Sequence, residues 1–143
     1  MPNTTYGFGS LYTTIMHPAI GQIVVQGSGV GSITFTMAND VSAHDVAADG
    51  SVMTSKIKSK NGTIAISVQQ TSEVHEWLTR LHNYLIAAPD REWAQIELVA
   101  NSVDMRTSHS ASNISIQKRA DKPYQAQGQQ VTWTLMAGEL TER

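Results

Sequence analysis

A chain of 143 residues with ten Lys plus Arg against twelve Asp plus Glu carries a formal charge of −2, so it offers neither a basic footprint for nucleic acid nor an acidic tail. It has no cysteine, which excludes a disulfide framework, thiol catalysis and thiolate metal sites. The length suits one domain, 1–143, that buries roughly two thirds of its unfolded surface.

Residues 1–19 mix Gly, Ser, Thr and aromatics and end at His17-Pro18, which reads as an N-terminal arm or loop, partly extended. The start has neither the basic residues nor the apolar core of a signal peptide, and no apolar run along the chain is long enough to span a bilayer, so no membrane insertion is expected. Ile20 to Gln26 holds the β-branched run Ile23-Val24-Val25, a strand signal. Gly27 to Gly31 turns the chain, and Ile33, Phe35 and Met37 then alternate with Ser and Thr at period two. A polar loop, 38–50, follows, and at that length a purpose is expected of it.

Asn61-Gly62 is a strong hairpin signal, because both central residues of a type I′ turn need positive φ. It predicts a hairpin of 51–60 against 63–72, with Ile64, Ile66 and Val68 on one face and Ala65, Ser67 and Gln69 on the other. A helix comes next, from Glu73 to about Ala87. Val74, Trp77, Leu78, Leu81 and Leu85 form one apolar stripe, Thr71 or Ser72 caps it, Glu76 and Arg80 are spaced for an ion pair, and Pro89 stops it. Further strands are expected at about 94–100, 111–118 and 129–137, the last alternating Val131, Trp133 and Leu135 with Thr132, Thr134 and Met136. The fold class is therefore mainly β: a two-sheet β-sandwich or barrel with one flanking α-helix at about 73–87, onto whose sheet Trp77 and Leu81 pack beside Ile64, Ile66 and Trp133.

No motif carries chemistry. The glycine run 27–31 is followed by a strand pattern, whereas a phosphate loop needs a helix there. His75 and His82 are seven apart on the helix, not the three or four that a metal pair uses, and His44-Asp45 lacks any accompanying nucleophile. No catalytic residue, cofactor or metal is expected, and the chain is read as a non-enzyme. Lys56, Lys58 and Lys60 would line one face of one strand, either as a solvated edge or facing acidic residues of a neighbouring subunit such as Asp40, Asp45 or Asp49. With His44, these are the candidate subunit-interface residues. The alternative is a monomeric β-sandwich that binds carbohydrate or peptide on a platform of Tyr6, Phe8, Tyr12 and Tyr124.

From about Ile20 to Leu140 the chain resembles tail tube proteins of contractile-tailed bacteriophages. The resemblance is carried by Ala48-Asp49-Gly50-Ser51, by Asn61-Gly62-Thr63-Ile64 running on to Ser72, by Val74, Trp77, Leu78 and Leu81, by Lys122-Pro123-Tyr124, and by Val131-Thr132-Trp133-Thr134-Leu135. It implies a structural virion protein whose hexameric rings stack into the hollow inner tube of a contractile sheath, a conduit for genome ejection. Implied partners are further copies of itself, the sheath, baseplate and tail terminator proteins, and DNA that passes through the lumen without specific binding. The implied place is the phage tail, assembled in the host cytoplasm. On this reading Lys56, Lys58 and Lys60 should not all face the lumen, since positive charge there would hold DNA.

Overall fold

The computed structural model describes residues 11–25 and 29–143. In chain order the strands are β1 (Leu11–His17), β2 (Gly21–Val24), β3 (Val30–Met37), β4 (Ser42–Val46), β5 (Val52–Lys56) and β6 (Gly62–Gln69). The helix α1 (Glu73–Ala87) follows, then β7 (Ile96–Ser102), β8 (Thr107–Lys118) and β9 (Gln130–Glu142). Seven strands form one antiparallel sheet in the order β2-β1-β7-β8-β9-β6-β3, and β4 and β5 form a second, two-stranded sheet. The fold is mainly β with one flanking helix, as the patterning predicts.

The large sheet is curled. Helix α1 touches both β2, at one edge, and β6, next to the other edge. Phe35 of β3 stacks on His109 of β8 with ring centroids 4.2 Å apart, although two strands lie between them. In a flat sheet three strand spacings amount to roughly 14 Å, so only curvature brings these rings together. Alternation places Ile64, Ile66 and Val68 of β6, Ile96, Leu98 and Ala100 of β7, and Val131, Trp133 and Leu135 of β9 inside the curl. The stripe of Val74, Trp77, Leu78, Leu81 and Leu85 closes that space from the helix side. Ser72 caps α1 by accepting the His75 N–H at 3.2 Å. Glu76 and Arg80 do not pair; the ion pairs among the described residues are Lys60–Glu139 at 3.5 Å and Lys118–Asp121 at 3.9 Å.

Two expectations give way. Residues 11–17, read as arm or loop, are strand β1, paired with β2 and β7 and burying Thr13, Ile15 and His17. The hairpin at Asn61-Gly62 is absent. β6 pairs with β3 and β9, while β5 pairs with β4. Neither Asn61 nor Gly62 has the positive φ of a type I′ turn. Gly62 is needed for closeness instead: a Cβ there would lie 2.5 Å from the Thr36 carbonyl oxygen and 2.8 Å from Leu140 Cδ2. Gly62→Val is therefore expected to cost about 1–3 kcal/mol through overpacking. A urea denaturation midpoint equal to that of the parent chain would contradict the close approach.

Candidate assembly surfaces

The ladder between β3 and β6 does not stop at the sheet. Ala38 N–H donates to Asn61 O at 3.1 Å, and the Asn39 side-chain amide donates to Ser59 Oγ at 3.0 Å and to Asn61 Oδ1 at 3.1 Å. Ile57 N–H then donates to Val41 O at 2.9 Å, and the β4–β5 rungs continue from Ser42–Lys56 to Val46–Val52. Residues 38–61 thus form a ribbon that extends the β3–β6 pair past its end. The tip is made by Asp49-Gly50: Gly50 has φ +89° and donates to Ala47 O, and Asp49 Oδ1 accepts Ser51 N–H at 2.9 Å. That bond from Ser51 holds the Asp49 carboxyl below the usual carboxylate range.

The loop read at 38–50 is therefore one strand and the tip of this ribbon. The tip's turn signal, Asp49-Gly50, was present in the sequence beside the stronger-looking Asn61-Gly62. Every residue from 36 to 58 is exposed. β4 and β5 pack on each other and on little else. Yet Val41, Val46, Val52, Met53 and Ile57 all lie on this ribbon, from 39% to 64% exposed.

All seven candidate interface residues lie on the ribbon, but not as the sequence pattern suggested. Lys56 ends β5, and Lys58 and Lys60 fall beyond it, so the lysines are not a row on one strand. Lys60 is drawn to Glu139 of its own chain. His44 and Asp45 are consecutive in β4 and point to opposite faces. The rungs put Asp45 opposite Met53, and His44 opposite Thr54. Asp40 sits at the base and Asp49 at the tip.

The buried imidazoles are structural. His17 Nδ1 accepts Ala19 N–H at 3.1 Å, and its Nε2 lies 3.1 Å from Glu92 O, so both nitrogens are committed to backbone. Trp133 Nε1–H donates to His75 Nδ1 at 3.0 Å, which assigns the neutral His75 proton to Nε2, a buried atom without a partner. His82 meets Trp133 edge-on at 6.3 Å. Burial, then Lys122 and Arg119, lower the His75 pKa, with Glu76 opposing; burial and Arg119 lower that of His82. The unfolded chain consequently binds these protons more tightly than the folded one. Their contribution to stability is complete above the ordinary imidazole value of 6.5 and is lost progressively as pH falls below it. Urea midpoints across that range should drop toward acid in the parent chain and drop less in His75→Gln; identical profiles would contradict the assignment.

No cluster of three or more metal-ligating side chains occurs among the described residues. Of the proposed aromatic platform, Tyr6 and Phe8 lie outside the described residues. Tyr12 pairs with Asn101 near one end of the sheet, whereas Tyr124 lies in the β8–β9 loop at the other. Of the glycine run, Gly27 and Ser28 lie outside the described residues, and the segment after it is strand β3, not a helix.

The profile described as Bacteriophage PhiTE tail tube protein matches residues 3–143. The chain belongs to that tail tube family. No curated protein matches it by sequence. Solved structures share the fold of this tail tube protein at low identity. The sheath/tube terminator of an extracellular contractile injection system (PVC, extended state) aligns with a TM-score of 0.64 at 9% identity, covering 99% of this chain and 98% of its own. A chain of the PVC sheath-tube complex gives 0.61 at 9% identity, covering 97% and 91%. The tube terminating cap of the anti-feeding prophage gives 0.59 at 10% identity, covering 100% and 93%. The tail tube protein is thus a structural component of a phage tail.

Proposed function

We propose that this tail tube protein forms a single tube domain that closes into hexameric rings, and that the rings stack into a hollow tube inside a contractile sheath. The observation that carries this reading is the ribbon 38–61: five apolar side chains stand exposed on a hairpin with almost no support from its own chain. An isolated two-stranded hairpin is marginal in water, and another subunit would bury it. The candidates Asp40, His44, Asp45, Asp49, Lys56, Lys58 and Lys60 become contacts between rings.

Ring closure would also remove the sheet's two open edges, β2 and β3, by pairing subunit to subunit. The outward face of β3, β6, β8 and the first half of β9 is then the channel wall. From Val30 to Met37, Gly62 to Gln69, Thr107 to Gln117 and Gln130 to Gly138 the sequence has no Lys, Arg, Asp or Glu. Ser67 and Thr132 hydrogen-bond across this face at 2.9 Å. A wall of hydroxyls and amides does not grip phosphates through counterion release, which suits DNA passing during ejection into the host. The three lysines, on the ribbon, stand apart from it. The remaining partners are the sheath, baseplate and tail terminator proteins, met when the virion is assembled in the host cytoplasm.

Negative-stain electron microscopy of the purified, concentrated chain tests this. Rings or hollow tubes are expected. Subunits that stay dispersed at every concentration, with and without a preformed baseplate to start growth, would refute it.

A further inference from the structure

We propose that the ribbon of one subunit docks on the 119–129 loop of a subunit in the next ring, with Tyr124 as the anchor; this rests on the stacked-tube reading above. The register fixes where the two surfaces lie. Met37 pairs with Gly62, and Gly62 with Ala137, so the ribbon leaves the sheet at the end holding the start of β6. Gln69 pairs with Gln130, so the loop between β8 and β9 sits at the opposite end. Axial stacking of identical rings is heterologous: one end of a subunit meets the other end of the next. The ribbon therefore finds the far end of a second copy, not a second ribbon.

At that far end Tyr124 is 86% exposed, more than any other large hydrophobic side chain described. Its loop is held in place. The Gln70 side-chain amide donates to Pro123 O at 2.6 Å, and Gln70 N–H donates to Gln129 O at 3.1 Å. An aromatic presented on a fixed loop loses little entropy on docking, which is how interface anchors gain their energy. The ribbon offers a matching surface. Met53 is 61% exposed and, by its pairing with Asp45, shares a face with that carboxylate. A methionine thioether packs well against an aromatic ring.

Charge sets the side of approach. Asp121 is drawn to Lys118, leaving Arg119 and Lys122 as the loop's cations beside Tyr124. Glu73 and Glu76 in the first turn of α1 lie at the same end and repel carboxylates. Asp45 thus meets the loop and keeps away from the helix. Tyr12 is excluded as the anchor, because it lies at the ribbon's own end of the subunit.

The absence of cysteine makes the test direct. Met53→Cys and Tyr124→Cys are combined, tubes are grown well above the roughly tenfold higher concentration that loss of the anchor demands and oxidised, and the products are separated without reductant. A disulfide needs Cα atoms within about 7 Å. Each copy carries both halves of the contact, so a ladder running beyond dimers is expected. Each single variant, and Met53→Cys with Tyr12→Cys, should give none. Tubes whose paired variant stays monomeric on the gel would overturn the docking alone, whereas failure of the parent chain to form tubes strikes the tube reading itself. Independently, Tyr124→Ala should raise the concentration needed for tube growth at least about tenfold, the effect of losing one interface anchor. Growth at the parent concentration would overturn the proposal.

Discussion

Excising residues 39–60 and joining Ala38 to Asn61 through a two-residue Asn-Gly turn abolishes tube growth and leaves a folded subunit. Ala38 N–H already donates to Asn61 O at 3.1 Å, so the two strands stand at hairpin distance where the ribbon is removed. None of the excised residues is buried. The losses are the Asn39 and Ser59 contacts and the exposed Lys60–Glu139 pair, which is worth little. Lys60 O also accepts Leu140 N–H at 2.7 Å, and the inserted Gly, standing where Lys60 stood, supplies a carbonyl for that bond. Shortening the connection from twenty-two residues to two lowers loop-closure entropy by about 2 kcal/mol. The urea midpoint should therefore equal or exceed that of the parent while micrographs show no tubes. Tubes formed by the excised chain would remove the ribbon from the assembly account.

Trp133→Ala has the largest expected effect on folding. Trp133 is fully buried at the centre of the curl, with its ring against His75 and His82 and its indole N–H on His75 Nδ1. Removing such a side chain typically costs about 3–5 kcal/mol in cavity and lost transfer energy. Leaving the buried His75 nitrogen without its donor adds about 1–3 kcal/mol. A domain of this size holds only about 5–15 kcal/mol in total, so the variant should lose a large share of its stability, read as a steep fall in the thermal midpoint by circular dichroism. Trp133→Phe keeps most of the packing and loses the hydrogen bond, so it should fall between the two. Native-like melting of Trp133→Ala would show that the helix and sheet are joined in another way.

What the sequence makes legible follows from the range of the interactions involved. Helix α1 was readable to its ends because Val74, Trp77, Leu78, Leu81 and Leu85 keep the helical period and Ser72 and Pro89 bound it, all within one local stretch. β6 and β9 were readable because apolar residues alternate against Ser, Thr and Gln. β1 was not. Its inward positions are Thr13, Ile15 and His17, and its outward ones include Tyr12 and Met16, so hydrophobicity there does not follow burial. His17 is buried because Glu92 O, 75 residues away, receives its ring nitrogen.

The ribbon failed to read for a different reason. Asn61-Gly62 carries the local grammar of a tight turn, but β6 is claimed by β3 and β9, and the small size of Gly62 serves packing against Thr36 and Leu140. The seven interface candidates came from charge in a stretch that proved to be the ribbon. Their exposure could be anticipated. Which of them share a face could not, because that depends on the β4–β5 register.

A cryo-EM map of the particle that the purified chain forms tests the account most directly. It should resolve a hollow tube of stacked rings, with each ribbon crossing to the next ring and the uncharged face of β3, β6, β8 and the first half of β9 lining the channel. A tube whose ribbons touch no neighbouring ring, or whose channel is lined by Lys56, Lys58 and Lys60, would contradict it.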